Sequence, residues 1–246
     1  MLRFIILIIL VIFYLIVTIP LELVALIISF FNKRMAMKIG KATSKFGFTF
    51  AKLMAGVDVT YLNDKNIPEN ESVLYVGNHR SYFDIILTQI HCKDLLGFVA
   101  KKELAMVPSL NVWMYFINCK FIDRKDMKQS FKVLTEMCED VVSGKASMMI
   151  FPEGTRNRGK EGTVLKFHDA SLKMAAKAGC TIVPIALSNT QSVFEARFPA
   201  LTPSKVIIEY GEPIKTTELS ADEKKKIGET VKGRIEEMLK SHEGMF

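Results

Sequence analysis

SVLYVGNHRSYFDIILTQIH, Ser72 to His91, decides the fold. A short apolar run, Ser72–Gly77, reads as a strand, the polar stretch NHRSYFD (Asn78–Asp84) follows it, and Phe83–His91 reads as a helix. The same alternation continues outward. Further candidate strands are Val57–Leu62, Leu96–Ala100, Lys120–Asp123, Ala146–Phe151, Thr181–Leu187 and Lys205–Gly211. Helical stretches fall near Glu103–Ile117, Asp126–Ser143 and Phe167–Ala178. Ser220 with Glu223 forms a capping box that opens a last helix, with Ile227, Val231, Ile235 and Leu239 on one face. Strands alternating with helices predict an α/β fold: a mostly parallel or mixed sheet with helices on both faces. No repeat or linker divides residues 57–246, so that span is expected to be a single domain, with residues 1–56 as a separate appendage.

The chain has 246 residues, 49% of them hydrophobic and 24% charged, which excludes disordered and low-complexity classes. Its net charge of +7 is unevenly placed. Residues 1–56 hold seven Lys/Arg and one acid, Glu22, a balance of +6; the remaining 26 basic and 25 acidic side chains leave +1. The basic end is also the apolar end, which points to a membrane surface and not to nucleic acid.

Phe4–Phe31 is apolar except for Pro20 and Glu22. It is too long for a signal peptide, and as one helix would run about 42 Å against a hydrocarbon core of about 30 Å. Pro20 predicts a bend, and neither piece, 4–19 or 21–31, reaches the ~20 residues a span requires. In residues 33–54, Met35, Ile39, Ala42, Phe46, Phe50 and Leu53 share one helical stripe. Arg34, Lys38, Lys41, Lys45 and Lys52 form a second, roughly 110° away. This suits a helix lying in a lipid interface, with rings among the acyl chains and ammonium groups at anionic headgroups. A core-facing helix with a solvated basic face is the other possibility. The expectation is a two-helix anchor, hydrophobic then amphipathic, inserted monotopically at the cytoplasmic face of the cell membrane; a single bent span is the alternative.

Cys92, Cys119, Cys138 and Cys180 lack metal-site spacing and are expected to be reduced, mostly buried thiols, with no metal site. Neither GxGxxG nor GxxxxGKS occurs. His79 and Asp84 can meet only if the histidine lies in the turn before the helix and Asp84 in its first turn, with Ser81 and Asp84 as a capping pair. The carboxylate would then accept the Nδ1–H and leave Nε2 free as a base. A plain helix start beside an uninvolved histidine fits the same residues. FPEGTRNR, Phe151–Arg158, also follows a strand. Arg156 and Arg158 suit phosphate there, though a surface turn with ion-paired arginines would look alike. FIDR puts Arg124 past another strand, and Lys101 and Lys102 follow a third, so a histidine or a cation stands at four strand ends.

NHRSYFD, KKEL…FIDR, FPEGTR and IVPIAL, in that order, resemble the sequence blocks of the glycerolipid acyltransferases, and most nearly the bacterial 1-acylglycerol-3-phosphate acyltransferases of the PlsC type. The resemblance runs from about residue 57 to residue 210. It implies that His79 is the general base toward the sn-2 hydroxyl of lysophosphatidic acid, oriented by Asp84. The acyl thioester would come from acyl carrier protein or coenzyme A, and the product would be phosphatidic acid. Arg124, Glu153, Gly154, Thr155 and Arg156 match positions that bind the acceptor, with Lys101 a further contact and Pro184 shaping the pocket. No cofactor, metal or covalent acyl-enzyme is implied. Asn111 stands where a glycine is usual, and His168 and Ala170 depart from the usual Phe-Lys-x-Gly. His91, His168 and His242 have no comparable setting. Acylation of another lysophospholipid or lyso-aminolipid, and a non-catalytic lipid-binding protein, are the competing functions.

Overall fold

The computed structural model describes residues 1–246. In chain order its elements are α1 (Leu2–Val17), α2 (Ile19–Phe31), α3 (Lys33–Ala55), β1 (Val57–Leu62), β2 (Leu74–Gly77), α4 (Phe83–His91), β3 (Leu96–Lys101), α5 (Leu110–Phe116), β4 (Lys120–Ile122) and α6 (Met127–Val142). They continue with β5 (Ser147–Ile150), α7 (Asp169–Ala178), β6 (Thr181–Ser188), β7 (Ser204–Tyr210), β8 (Ile214–Lys215), α8 (Ala221–Lys225) and α9 (Ile227–Ser241). The expected strands are all present. The stretch expected as a helix over Glu103–Ile117 is instead a 3-10 turn at Lys102–Met106 followed by α5. Pro108 is the physical cause: it disfavours helical backbone at Val107, which is extended, and cannot donate to the turn before it. The last helix likewise divides at Lys226 into α8 and α9, and the two-residue β8 had no sequence signal.

The sheet order is β1-β7-β6-β2-β5-β3-β4, with β8 also on β6. β2 lies between β6 and β5 and parallel to both, Leu74 facing Ile182 on one side and Met148 on the other. β7 and β8 run antiparallel to β6, so the sheet is mixed. Side chains alternate along the central strands. Val73 and Tyr75 pack with Phe83 and Leu87 of α4, Ala51 and Ala55 of α3 and Leu7 of α1. Leu74 and Val76 pack on the other face with Met137 of α6, Leu172 of α7 and Val231 and Ile235 of α9. Both faces are covered, as an α/β layer structure requires. The parallel strands β2, β3, β4 and β5 therefore end at one common edge.

The N-terminal region has three helices, a correction to the expected two. α1 and α2 meet at 45°, and the break falls at Thr18. Pro20 sits in the first turn of α2; without an N–H it cannot bond the turn before it, so the helix parts just upstream of the ring. No single helix is long and apolar enough to cross a membrane, although the bent pair passes on length and composition together. The break is docked onto α5. The Ser109 hydroxyl donates to the buried Glu22 carboxylate and lies 3.0 Å from the Leu15 carbonyl, while the Trp113 indole donates to Thr18 Oγ1 at 3.1 Å.

α3 carries a third stripe that the sequence reading passed over: Ala36, Gly40, Thr43, Gly47, Ala51 and Ala55. This small-residue stripe faces the body. A Cβ at Gly40 would sit 2.4 Å from Phe116 Cβ, and one at Gly47 2.9 Å from the Tyr14 ring. Most of the large apolar side chains turn outward, Phe46 being 67% and Leu53 70% exposed with Met35 and Phe50 exposed beside them, whereas Ile39 of the same stripe packs against Trp113 and Phe116. Arg34, Lys38 and Lys45 are exposed and Lys52 half-buried; Lys41 instead turns back to donate to the Lys93 carbonyl, which removes it from the outward basic stripe.

Candidate active site

β2 delivers Asn78 and His79 to the sheet edge. The Asn78 side chain substitutes for a strand: its amide donates to the Leu187 carbonyl at 2.9 Å and its oxygen accepts the Leu187 N–H at 2.8 Å. This fixes the turn that follows. The Asp84 carboxylate, fully buried in the first turn of α4, points one oxygen back into that turn. Oδ2 accepts from the backbone N–H of Arg80 at 2.7 Å and of Ser81 at 2.8 Å, and lies 2.7 Å from His79 Nδ1. Two backbone donors and the imidazole thus converge on one atom. The helix opens at Phe83, as the sequence predicts, but Tyr82 stands at its N-cap and Ser81 Oγ accepts the Phe83 N–H at 3.0 Å, so of the expected capping pair only the bond from the Ser81 N–H to Asp84 forms.

The His79 ring is stacked on Phe151, with centroids 4.2 Å apart and planes 17° from parallel. Its backbone is held on both sides: the N–H donates to Glu153 Oε1 at 2.7 Å and the carbonyl accepts from Asn157 N–H at 2.6 Å. Nε2 bonds to no protein atom, and the side chain is 16% exposed. This is the arrangement the spacing of His79 and Asp84 suggested: an imidazole with fixed orientation, Nδ1 committed to a carboxylate and Nε2 available.

The FPEGTR segment places its residues in different roles. Glu153 turns inward, which changes its expected part in holding the acceptor. Oε1 takes the His79 N–H and Oε2 the Leu165 N–H at 2.9 Å, so this buried carboxylate ties the histidine turn to the segment before α7. Burial raises its pKa, and the two N–H donors oppose that rise. Gly154 has a left-handed backbone, φ +68, and a Cβ there would meet the His168 ring at 3.0 Å; its carbonyl accepts from the Arg124 guanidinium. Thr155 is exposed at the rim, as are Lys101 and Arg158. Lys102 pairs with Asp123 at 2.6 Å.

Arg156 is already engaged. Its guanidinium lies 3.9 Å over the Tyr82 ring, Nη1 donates to Glu195 Oε1 at 2.9 Å and Nη2 to the Tyr82 hydroxyl at 3.2 Å. Glu195 also accepts from Ser81 Oγ at 2.6 Å and from Tyr82 N–H at 2.9 Å. Sequence reasoning missed Glu195 because it lies about forty residues past FPEGTR in a stretch with no strand or motif. Arg80, between His79 and Ser81, was also passed over. It is buried and donates to the carbonyl of Gly159 and to the Gln191 side chain at 2.7 and 2.5 Å, with Glu161 3.1 Å from Nε. It therefore fastens two loops over the site and is no phosphate ligand. His242, which has no setting like that of His79 in the sequence, is buried between Ser188 Oγ at 2.7 Å and Glu209 at 2.8 Å; His91 stacks on Tyr61.

Residues 58–188 match the family model described as Acyltransferase. The chain is similar to the 1-acyl-sn-glycerol-3-phosphate acyltransferase of Saccharomyces cerevisiae, 28% identical over 80% of this chain and 65% of that protein. It is also similar to the protein of that name from Borreliella burgdorferi, 29% identical over 76% of this chain and 74% of the relative. Among solved structures, the 1-acyl-sn-glycerophosphate (LPA) acyltransferase PlsC from Thermotoga maritima superposes with a TM-score of 0.70 at 27% identity, covering 92% of this chain and 93% of that one. The match thus spans just under two thirds of the yeast relative and nearly all of the Thermotoga protein.

Proposed function

The chain belongs to the acyltransferase family, and we propose that it transfers a fatty acyl group from an acyl thioester to the sn-2 hydroxyl of 1-acyl-sn-glycerol-3-phosphate, giving phosphatidic acid for phospholipid synthesis. One observation carries the mechanism: His79 Nδ1 is 2.7 Å from a buried carboxylate oxygen, while Nε2 makes no protein bond. Nε2 takes the hydroxyl proton as the oxygen attacks the thioester carbonyl, so a C–O bond forms and the C–S bond breaks. The imidazolium then returns the proton to the departing thiolate of coenzyme A or acyl carrier protein. Asp84 keeps the tautomer and stabilises the transient positive ring. Arg156, Arg124 and the exposed Lys101 supply cations at neighbouring strand ends for the acceptor phosphate, with Thr155 at the same rim. This chemistry calls on no metal or cofactor.

The N-terminal helices serve as a monotopic anchor on the cytoplasmic face of the cell membrane. Glu22 and Thr18 are bonded to α5, which ties the bend to the body, and α3 turns its aromatic and basic stripes away from the body toward anionic lipid. Protease protection of a tag before Arg3, in sealed oriented vesicles, would overturn this placement in favour of a bent span.

The reaction is tested by acyl transfer from a labelled long-chain thioester to lysophosphatidic acid, with lipid products resolved. Wild type is expected to form phosphatidic acid, and His79→Ala to lose about 10²–10⁴ of the turnover, the usual worth of a positioned base. A variant keeping more than about a tenth of the activity would refute the base assignment. Transfer only to a different lysolipid would redirect the acceptor, and lipid binding without any transfer would support a non-catalytic protein.

A further inference from the structure

We infer that Glu195 is a positioning residue for the acceptor: it aims the Arg156 guanidinium at the phosphate site and locks it to the turn that carries His79. The inference rests on the proposed acyl transfer and adds a residue outside the sequence blocks that suggested it. Three groups converge on this one carboxylate. Oε1 accepts from Arg156 Nη1 and from Tyr82 N–H, both at 2.9 Å, and Oε2 accepts from the Ser81 hydroxyl at 2.6 Å. Ser81 and Tyr82 lead directly into α4, which carries Asp84. Arg156 comes from the loop after β5, and Glu195 from the segment after β6. The carboxylate therefore adds a direct link among three pieces of chain that the sheet and the bonds of Arg80, Glu153 and Asn157 already bring together.

The arginine is held without being used up. Two of a guanidinium's five N–H donors are taken, one by Glu195 and one by the Tyr82 hydroxyl, and the Tyr82 ring covers one face of the plane. The remaining donors stay available for a phosphate in the fork geometry that arginine offers. A flexible arginine would lose side-chain freedom on binding the acceptor; one already fixed loses less, so the benefit falls on acceptor affinity. Glu195 is itself held in place, since the preceding Phe194 stacks on Phe4 of α1 at 4.9 Å and packs edge-on against Phe198 at 5.3 Å.

The test is steady-state acyl transfer by the full chain in mixed micelles, varying lysophosphatidic acid and the thioester separately. Glu195→Ala is expected to raise KM for lysophosphatidic acid about tenfold and to leave KM for the thioester unchanged. Glu195→Gln should return KM to within about twofold of wild type. Its single oxygen can keep both Oε1 bonds, and its amide can donate to the Ser81 oxygen. In an Arg156→Ala background, Glu195→Ala should add nothing further to KM. If Glu195→Ala does not fold, Glu195→Asp, too short by a methylene to reach all three partners, replaces it with the same expected rise. The inference is overturned by equal rises in both KM values, by a fall in kcat alone, by a Gln variant as poor as Ala, or by multiplying effects in the double variant. Wild type that forms no phosphatidic acid defeats the proposed reaction itself, a result visible before any variant is compared.

Discussion

Replacing Asp84 with asparagine separates the two services a carboxylate gives a catalytic histidine, fixing its tautomer and stabilising its charge. In this site three donors converge on Oδ2, while the buried Oδ1 has no partner. The Arg80 and Ser81 N–H groups are backbone and cannot turn away, so the introduced amide must place its oxygen where Oδ2 was and its NH₂ where Oδ1 was. The oxygen still accepts from Nδ1–H, and the productive tautomer survives. What is lost is the charge: a hydrogen bond to a charged group contributes about 1.5–3 kcal/mol, against about 1 for a neutral one. The imidazolium-like transition state should therefore lose about 1–2 kcal/mol, a fall in kcat of about 5–30-fold, with KM for either substrate nearly unchanged. Asp84→Ala, by contrast, strips two buried backbone donors of their acceptor and should cost stability as well as rate. The assay pairs initial rates with ¹⁵N shifts of the His79 ring. An Asp84→Asn variant as inactive as His79→Ala, or a ring carrying its proton on Nε2, would refute the claim that the turn dictates which way the amide faces.

Three further expectations follow from other parts of the structure. Glu153→Gln can satisfy only one of the two N–H groups now shared between Oε1 and Oε2 and turns an NH₂ toward the other, so denaturant unfolding should show a loss of about 1–3 kcal/mol; an unchanged midpoint would mean the two bonds are not formed together. Gly40→Ala puts a methyl group 2.4 Å from Phe116 Cβ, against side chain and backbone that cannot swing aside, and should lower stability by about 1–3 kcal/mol by prying α3 from α5; Gly144→Ala, where nothing lies within 4 Å but φ is +71, is a control for backbone strain alone. Changing Arg34, Lys38 and Lys45 to Gln should weaken sedimentation with anionic vesicles by up to ~1 kcal/mol per charge and flatten its salt dependence, whereas Lys41→Gln, whose ammonium is turned to the Lys93 carbonyl, should change little; equal effects at Lys41 and Lys38 would contradict the orientation of α3.

What the sequence disclosed and what it concealed divide along a physical line. Strands and helices of the body were legible because each is recorded in its own residues, as periodicity, apolar runs and a capping pair at Ser220 and Glu223. The HxxxxD turn was legible for the same reason: Asp84 and His79 are five residues apart, and local geometry alone decides whether they meet. Where two distant segments must agree, the pattern failed. Glu153 sits in a motif beside arginines, so it looked like part of an anion site; only the tertiary structure sets it under two backbone N–H groups, one of them twelve residues away. Glu195 had no motif to announce it, and its role exists only because β5 and β6 flank β2 and bring the Arg156 loop and the 190–198 segment to either side of the same turn. The α3 helix shows the same limit from the other direction. Its large apolar stripe gave a strong signal, yet Ile39 of that stripe packs against Trp113 and Phe116 while Met35, Phe46, Phe50 and Leu53 turn outward, because a hydrophobic stripe does not say what covers it. That is settled by the weaker stripe of Ala36, Gly40, Thr43, Gly47, Ala51 and Ala55, where close backbone approach to α5 and the Tyr14 ring leaves no room for larger side chains. Small residues with a helical period mark the face that meets protein, and so it is their pattern, and not that of the phenylalanines, that directs Phe46, Phe50 and Leu53 outward.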